Sequence, residues 1–278
     1  MRNRSLAMLA LLGLTAADAR AADLGYDYLR GAEYDEPAVV TTPLIDWSGT
    51  YVGGHAGYST TNFAFKNAGR TEIAQILRQT TVESEFNVSG WNTLTDKRRS
   101  GVSYGGFAGY NIQYGDAVFG LEADYTSLFQ KAWSEDGLAR RMSGKNGVYY
   151  GTATSTYARA TLEDYGTVRA RLGYAFGPVL PFVTGGVAFG RAIVGSAVTV
   201  DSQEYSDLLM TQHLGGITRS GGSFKEKFAV GAALGGGIDY AITANVFLRA
   251  EYQYILFGKF GDQQMNVNTV RSALAVKF

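Results

Sequence analysis

The fold of this chain is decided by its last nine residues, Val270-Arg271-Ser272-Ala273-Leu274-Ala275-Val276-Lys277-Phe278. Every second residue counted back from Phe278 gives a mostly apolar face, whereas the residues between them are small or charged. Because side chains alternate between the two sides of a strand, this pattern predicts a β-strand with one apolar and one polar side. A transmembrane β-barrel needs this arrangement, with the apolar side against lipid and the polar side toward the lumen.

Seven further segments show alternation and predict, with the C-terminal strand, an eight-stranded structure. Their predicted ranges are Gly49–Ser59, Val102–Tyr114, Ala117–Ser127, Asp164–Phe176, Leu180–Arg191, Lys227–Tyr240 and Val246–Phe257. The alternation is weakest in Leu180–Arg191, so the facing of that strand stays open. Short and long connections alternate along the chain, as periplasmic turns and extracellular loops do in outer-membrane barrels. The predicted fold class is therefore all-β: an eight-stranded antiparallel up-and-down transmembrane β-barrel with both ends in the periplasm.

The beginning of the chain predicts export to the cell envelope. Arg2 and Arg4 precede an apolar run over Leu6–Leu14, and Ala19-Arg20-Ala21 supplies small residues for cleavage, which is the layout of a signal peptide. No later segment approaches the roughly 20 apolar residues that a membrane helix needs. The predicted domains are a signal peptide over residues 1–21, cleaved near Ala21, an acidic periplasmic lead-in over residues 22–46, and an outer-membrane barrel over residues 47–278.

Composition agrees with a barrel and limits the chemistry. The 36 Gly, 18 Tyr and 15 Phe residues suit tight turns and aromatic girdles. The count of Cys is 0, which excludes thiolate metal sites and a cysteine nucleophile in this chain. Removal of the predicted signal peptide takes away more basic than acidic residues and leaves a weakly acidic mature chain. This charge balance argues against nucleic acid as a partner.

Charged residues fall on the strand faces opposite the aromatic residues and predict a lumen charge network. Its members are Glu122, Asp124, Arg169, Arg171, Arg249, Glu251 and Arg271. The interior of an eight-stranded barrel is barely wider than its side chains, so opposed charges there would pair and plug it. The interpretation is a salt-bridged core that stabilises the barrel, and a gated or very narrow pore is the alternative. A soluble lipocalin-like barrel, the structural rival, would place the charges outside.

Candidate catalytic and metal-binding groups are few. The chain has 2 His residues; His55 has Ser59 and Ser103 as possible partners, whereas a nucleophilic site also requires a positioned carboxylate. His213 in a loop has Asp207 and Glu204 nearby, at a spacing too loose to indicate a metal site. We therefore predict no enzyme activity, no metal site and no cofactor.

Six stretches are similar to a known family. They are Trp47-Ser48-Gly49-Thr50-Tyr51-Val52-Gly53-Gly54, Phe107-Ala108-Gly109-Tyr110-Asn111, Phe119-Gly120-Leu121-Glu122-Ala123-Asp124, Tyr165-Gly166-Thr167-Val168-Arg169-Ala170-Arg171-Leu172-Gly173-Tyr174, Pro181-Phe182-Val183-Thr184-Gly185-Gly186-Val187-Ala188 and Leu248-Arg249-Ala250-Glu251-Tyr252-Gln253-Tyr254. They resemble the small outer-membrane surface proteins of alphaproteobacteria, the opacity-like and OmpA-like barrels that include immunogenic, porin-type antigens. The resemblance covers residues 47–278 and is specific for fold rather than activity.

The resemblance implies an envelope-structural and surface-display role in the bacterial outer membrane. It also implies two alternatives: a narrow porin for ions or small solutes, and a receptor that binds haemin or an unknown host partner through its loops. For haemin, His213 with Tyr149 or Tyr150 would be the candidate groups. A terminal aromatic on the last strand resembles the signal by which the barrel-assembly machinery recognises its substrates, so Phe278 is the expected assembly signal.

Basic residues in the predicted loops favour contact with outer-membrane lipid. The first long loop holds Arg70, Arg78, Lys97, Arg98 and Arg99, and the second holds Lys131, Arg140, Arg141, Lys145 and Arg159. Such clusters near the outer leaflet could pair with lipopolysaccharide phosphates, and ordinary solvated loop charge is the alternative. Within these loops, the sequence predicts a short helix over Thr71–Gln79 and a hairpin extension that includes Val148, Tyr150, Thr152 and Thr154.

Overall fold

The computed structural model describes residues 45–259 and 263–278. In this part of the chain, eight strands form a closed barrel in which each pairs antiparallel with the next and the last pairs with the first. The strands are β1 Gly49–Ala64, β2 Lys97–Tyr114, β3 Ala117–Ser143, β4 Tyr149–Tyr174, β5 Val179–Tyr205, β6 His213–Ala241, β7 Val246–Phe257 and β8 Gln264–Lys277. The predicted fold class is confirmed.

The predicted signal peptide, and the lead-in as far as residue 44, lie outside the described residues. Among residues 45–259 and 263–278, no helix is long and apolar enough to cross a membrane.

Alternation along the strands separates an apolar outer surface from a packed interior. In β8, Val270, Leu274 and Val276 are exposed, whereas Arg271 and Ala273 are buried. This is the facing that the C-terminal pattern predicts. The structure also settles the facing of β5, the strand with the weakest sequence pattern.

In β5, Val183, Val187 and Phe189 lie outside, while Phe182 and Thr184 face the lumen. Gly185 and Gly186 interrupt the alternation of large outward and inward side chains along β5. For this reason the sequence did not decide which side of β5 faces the lumen.

The long connections are more ordered than the sequence predicts. The β3–β4 hairpin continues to a turn near Gly144–Val148, which confirms the predicted hairpin extension. The β5–β6 connection was expected to be a long loop, and this is wrong: paired strands continue to Tyr205 and His213. Alternating small residues such as Val198 and Val200 are buried on the inner side of this hairpin. Their modest size and polar neighbours give the segment a loop-like composition.

The first long loop folds over the extracellular end of the barrel. It contains helix α1 (Arg70–Ile76), helix α2 (Thr81–Phe86) and a 3₁₀ turn over Val88–Gly90. The side chain of Thr80 caps α2 by accepting the backbone N–H of Glu83, as preferred N-cap residues do. Helix α1 overlaps the predicted helix Thr71–Gln79. Its buried residue Ile73 packs in one cluster with Val198 and Val200 of β5, so the loop and the tall hairpins share a small apolar core.

Candidate functional site

Arg169 on β4 occupies the centre of the lumen and contacts three carboxylates. Its Nη2 lies 2.6 Å from Glu122 Oε1 and 3.0 Å from Asp124 Oδ2, both on β3. Its Nη1 lies 2.5 Å from Glu251 Oε1 on β7 and donates to Thr184 Oγ1 on β5. The arginine side chain is fully buried. One guanidinium therefore joins four strands from both sides of the barrel.

Two further arginines connect the opposite walls of the lumen. Arg249 Nη1 on β7 lies 2.5 Å from Glu122 Oε2 on β3. Arg271 Nη2 on β8 lies 3.0 Å from Glu251 Oε2 and 3.4 Å from Asp124 Oδ2. The sequence predicted that opposed charges pair in the lumen, and the structure shows that one of these pairs spans the full width of the barrel.

Asp239 on β6 is a further member of the network, which the sequence analysis did not include. Its Oδ2 lies 2.5 Å from Arg171 Nη2, and its Oδ1 lies 2.8 Å from Arg249 Nε. The inner side of β6 next to Asp239 carries mainly Gly and Ala, and its charged neighbour is the register partner Arg249 on β7. The available signal was this pairing of an aspartate and an arginine at inward-facing positions of neighbouring strands.

With Asp239 included, the network contains four arginines and four carboxylates among the described residues. All seven sequence-predicted members are brought together there. Buried charges are tolerated only when paired and hydrogen-bonded. With equal numbers of arginines and carboxylates, the network meets the requirement for pairing.

Neutral side chains complete the hydrogen bonding of the carboxylates. Tyr51 donates its hydroxyl to Glu122 Oε2 at 2.9 Å, and Thr167 donates to Asp124 Oδ2 at 2.5 Å. The Arg171 guanidinium stacks over the Phe182 ring with its Cζ 3.9 Å from the centroid. Neither Tyr51 nor Phe182 is identified by the charge pattern, because their roles depend on which side chains face them across the lumen.

Apolar layers close the lumen on both sides of the charged network. Toward the periplasm, Trp47 and Phe247 pack edge to face at 5.8 Å, and the Trp47 indole N–H donates to the Gly177 carbonyl across the mouth. On the extracellular side, Phe63, Phe257 and Met265 belong to a second buried cluster. The inward positions thus include large apolar residues as well as the predicted charges, because the narrow lumen is a packed core.

The two histidines contact side chains other than the partners that the sequence suggested for them. His55 Nε2 lies 3.4 Å from Thr126 Oγ1, whereas Ser59 bonds to Ser103 and Thr269. His213 Nε2 contacts Gln203 Oε1 at 2.8 Å. Asp207 is occupied with the backbone of its own turn. Within residues 45–259 and 263–278, no group of three His, Cys, Asp or Glu residues could hold a metal ion.

The candidate haemin groups lie in the β3–β4 and β5–β6 hairpins beyond the barrel. Tyr150 is buried and contacts Asn146 and the ring of Phe86. Tyr149 on β4 pairs with Tyr205 of β5 in the hairpin ladder. His213 lies against Tyr205, with the ring centroids 5.4 Å apart.

Several basic residues predicted for loops lie on strands instead. Lys97, Arg98 and Arg99 are in β2; Lys131, Arg140 and Arg141 are in β3; and Arg159 is in β4. The reason is that the hairpins continue beyond the barrel. Arg159 and Arg140 are held over aromatic rings, those of Phe224 and Trp91, each at 5.1 Å. Phe278 is exposed, and its backbone N–H donates to the Thr50 carbonyl of β1.

Comparison with known proteins agrees with this geometry. The family model of the outer membrane protein beta-barrel domain matches residues 6–278. The chain belongs to this family. As an outer-membrane β-barrel protein, it places its exposed apolar band in the lipid of the bacterial outer membrane.

Relatives of this outer-membrane barrel come from alphaproteobacteria. It is 29% identical to the 31 kDa outer-membrane immunogenic protein of Brucella melitensis, over 99% of this chain and 100% of that protein. It is 25% identical to the 22 kDa outer membrane protein of Rhizobium leguminosarum bv. viciae, over 85% of this chain and 80% of that one. Among solved structures, Neisserial surface protein A aligns with a TM-score of 0.40 at 18% identity, covering 83% of this chain and 98% of the other.

Proposed function

We propose that this outer-membrane barrel is a closed, non-catalytic membrane anchor that contributes to envelope structure and displays a folded extracellular surface. The observation that supports this proposal is the lumen: a paired ionic layer with apolar layers on both sides. A conducting pore needs a continuous water-filled path, and a barrel of eight strands is just wide enough for side chains to fill it.

The extracellular part supports a display role. The β3–β4 and β5–β6 hairpins rise beyond the paired region of β7 and β8, and the first loop packs onto them through its own apolar cluster. Such a surface is presented in one fixed form rather than as separate flexible loops. The names of the Brucella relatives, immunogenic outer-membrane proteins, agree with a surface that is accessible from outside the cell.

The absence of catalysis is part of the proposal. His55 is enclosed in the lumen, with Arg271 Nη1 3.4 Å from its Nε2. In that position it cannot act as a general base for an external substrate. Ser59 has two hydroxyl partners, and its buried position gives no access to a reacting group.

Planar-bilayer recording of the refolded full chain tests the proposal. We expect insertion without steady single-channel currents, because the ionic layer and the apolar layers fill the lumen of the described barrel. The heat-modifiable compact band on an unheated gel shows that the inserted protein is folded, and a known open porin in the same bilayer controls for reconstitution. Steady, reproducible channels from the folded protein would instead assign the narrow-porin function.

A further inference from the structure

Strands β3 to β6 continue above the barrel as an open sheet with two different faces. The inner face is covered: Ser134, Thr156 and Val198 are buried on it, and Asn92 of the first loop donates to Thr156 Oγ1 at 2.6 Å. The residues that alternate with these point to the other side and are exposed or half-buried. The outer face of the tall sheet is therefore the face that a ligand can reach.

A belt of charged residues marks where this outer face leaves the lipid. Arg191 of β5 pairs with Asp164 and Glu163 of β4 at 2.6 and 3.5 Å, and with Glu226 of β6 at 3.8 Å. A strand tilted by about 40° rises by about 2.5 Å per residue along the barrel axis, so Asp164 lies about 25 Å above Tyr174. This is the height of the apolar band of an outer-membrane barrel. Outward side chains above the belt therefore lie outside the hydrocarbon.

A row of three aromatic side chains lies about 10 Å above this belt. Trp133 of β3 and Tyr157 of β4 are stacked with ring centroids 6.3 Å apart, and Tyr157 is 6.2 Å from Phe224 of β6. Trp133 is 45% exposed and Phe224 is 40% exposed. We call this row the aromatic shelf. The charged belt separates it from the lipid, so contact with acyl chains does not explain its exposure, and an exposed apolar patch of this kind indicates a binding surface.

Polar groups without partners flank the shelf. Arg159 of β4 is the register partner of Trp133, and its Cζ lies 5.1 Å from the centre of the Phe224 ring. Within residues 45–259 and 263–278, no carboxylate pairs with Arg159 and no acceptor bonds its guanidinium. Glu135, the register partner of Tyr157, is exposed and has no ion pair in the same part of the chain. The shelf thus offers one hydrogen-bond donor and one acceptor of opposite charge, and this pair has no net charge.

The outer face above the shelf is flat. Its side chains are small, and the hydroxyls of Thr199 and Ser220 are joined by a hydrogen bond of 3.1 Å. The outward residues there include Ala139, Ala153, Ser155, Ala197, Thr199 and Ser220. A flat surface next to stacked rings fits a ligand that has apolar faces and polar edges. A sugar chain has this form, because the C–H groups of a pyranose ring lie on its faces and the hydroxyl groups lie at its edge.

A sugar chain that is attached to a lipid fits this position better than a free one. Below the belt, the same outward face of β4 and β5 presents Val168, Val187 and Phe189 to lipid. A lipid against these residues holds its headgroup at the belt, and a sugar chain that extends from the headgroup passes over the shelf. Such tethering raises the effective concentration of the sugar at the shelf. The shelf is continuous with the surface that already contacts the membrane.

We propose that the aromatic shelf binds the sugar chain of a glycolipid in the outer leaflet, with pyranose rings stacked on Trp133 and Phe224 and with Arg159 and Glu135 bonded to hydroxyl groups. The recognised part is the saccharide rather than a phosphate, because the flanking charges cancel. The site depends on the placement of the barrel in the membrane and not on whether the lumen conducts, so its failure would leave the proposed closed barrel unaffected.

Titration of the detergent-refolded full chain with two probes tests the shelf. The probes are lipid A and a rough-type lipopolysaccharide that adds the core oligosaccharide to the same lipid A. We expect the core to strengthen binding by about tenfold, equivalent to about 1.4 kcal/mol. The gain should persist in about 1 M NaCl, where the screening length is about 3 Å, because stacking on the rings does not depend on charge.

Substitutions at the shelf should reduce this core-dependent gain. Trp133→Ala removes most of it, and Trp133→Phe, which keeps an aromatic ring, restores it in part. Arg159→Gln leaves the rings in place and lowers the gain by about threefold, as expected for one hydrogen bond. The matched control is Phe176→Ala, which removes a residue that is 61% exposed at the periplasmic end of the lipid-facing surface and leaves the gain unchanged. Each variant is first shown to give the heat-modifiable folded band, so that loss of binding is not loss of folding.

Four results would overturn the proposal. Equal affinity of the wild-type protein for the two probes would remove the saccharide from recognition, and with a dimer that Trp133→Ala dissociates it would assign the shelf to a second copy of the chain. A gain that survives both Trp133→Ala and Arg159→Gln would place recognition elsewhere. A gain that disappears in about 1 M NaCl would assign it to phosphate charge. Competition by the released core oligosaccharide at a concentration comparable to that of the lipopolysaccharide would assign the shelf to a free saccharide.

Discussion

Arg249 on β7 and Glu122 on β3 form an ion pair across the full width of the barrel, with Nη1 and Oε2 2.5 Å apart. These strands are opposite one another in the ring of eight, so the contact joins two walls that the backbone ladder connects only through intervening strands. Backbone hydrogen bonds between neighbouring strands close the barrel around its circumference, and the charged network connects opposite strands through the lumen.

Substitution of Arg169 by alanine tests the interior network. Arg169→Ala leaves Glu122, Asp124 and Glu251 without their shared cation, and breaking one partner of a buried pair costs about 3–5 kcal/mol. We expect the folded band on an unheated gel to disappear at a lower temperature or denaturant concentration than for the wild-type protein.

Arg191→Ala is the matched control for this change. Arg191 pairs with Asp164 at 2.6 Å, but its side chain is 43% exposed, and exposed pairs contribute about 0–1 kcal/mol. An Arg169→Ala barrel as resistant to heat as the Arg191→Ala barrel would contradict a stabilising role for the network.

A double-mutant cycle on Glu122 and Arg249 measures coupling across the lumen. Each single substitution, Glu122→Gln or Arg249→Met, leaves a buried charge without part of its compensation, whereas the double variant removes both charges together. We expect the double variant to be less destabilised than the sum of the singles, by about 0.5–3 kcal/mol, as for residues in one network. Urea unfolding in lipid vesicles gives the free energies. If the two changes in the free energy of unfolding simply add, the cross-lumen contact does not contribute to stability.

Gly105 on β2 tests how tightly the lumen is packed. A Cβ at this position would meet the backbone carbonyl oxygen of Tyr125 and lie 2.8 Å from His55 Nε2. Because a backbone carbonyl cannot move aside, we expect Gly105→Ala to destabilise the barrel by about 1–3 kcal/mol. In the control Gly54→Ala, the nearest atom to the new Cβ is 3.8 Å away, so stability should be unchanged or rise by about 0.4–1 kcal/mol. Equal stabilities in urea unfolding would refute the close packing.

The turn between β5 and β6 provides a test of pH dependence outside the membrane. The backbone N–H of Gln212 donates to Asp207, and this bond holds the pKa of Asp207 below its ordinary value of 3.8. A carboxylate with a lowered folded-state pKa stabilises the turn above its ordinary pKa, and that contribution is lost as the pH falls through the lowered value.

Hydrogen exchange of residues 206–212 measures this dependence, after correction for the intrinsic effect of pH on exchange. We expect protection to stay constant from neutral pH to about 5 and to fall only in stronger acid. Asp207→Asn should lower protection at neutral pH and remove the acid transition, and Glu204→Gln serves as the control that leaves both unchanged. An acid transition that persists in Asp207→Asn would assign it to another group.

The barrel itself was predictable because apolar and polar residues alternate along most strands, and this local pattern indicates which side chains face lipid and which face the lumen. The residues Val270, Leu274 and Val276 alternate with Arg271 and Ala273, and the structure places them outside and inside as expected. Where this local pattern is weak, as in β5, or where small residues replace large ones, as in the β5–β6 hairpin, the sequence did not predict the facing or the strand.

The sequence predicted the lumen network only in part. Glu122 and Arg169 are paired partners in the β3–β4 register, which antiparallel order alone brings together. Asp239 is likewise the register partner of Arg249 on the next strand, a neighbour relation that the charge pattern left unused. The cross-lumen contact of Arg249 with Glu122 depends on the radius and stagger of the closed ring, which no local pattern encodes.

From the amino-acid order alone came the outer-membrane barrel, its up-and-down topology and the inward direction of its charges, because alternation is a property of neighbouring residues. Tertiary structure alone decided that apolar layers close the lumen on both sides of the ionic layer and that the first loop folds onto tall hairpins. These contacts join residues far apart in the chain, and their geometry exists only after the ring has closed.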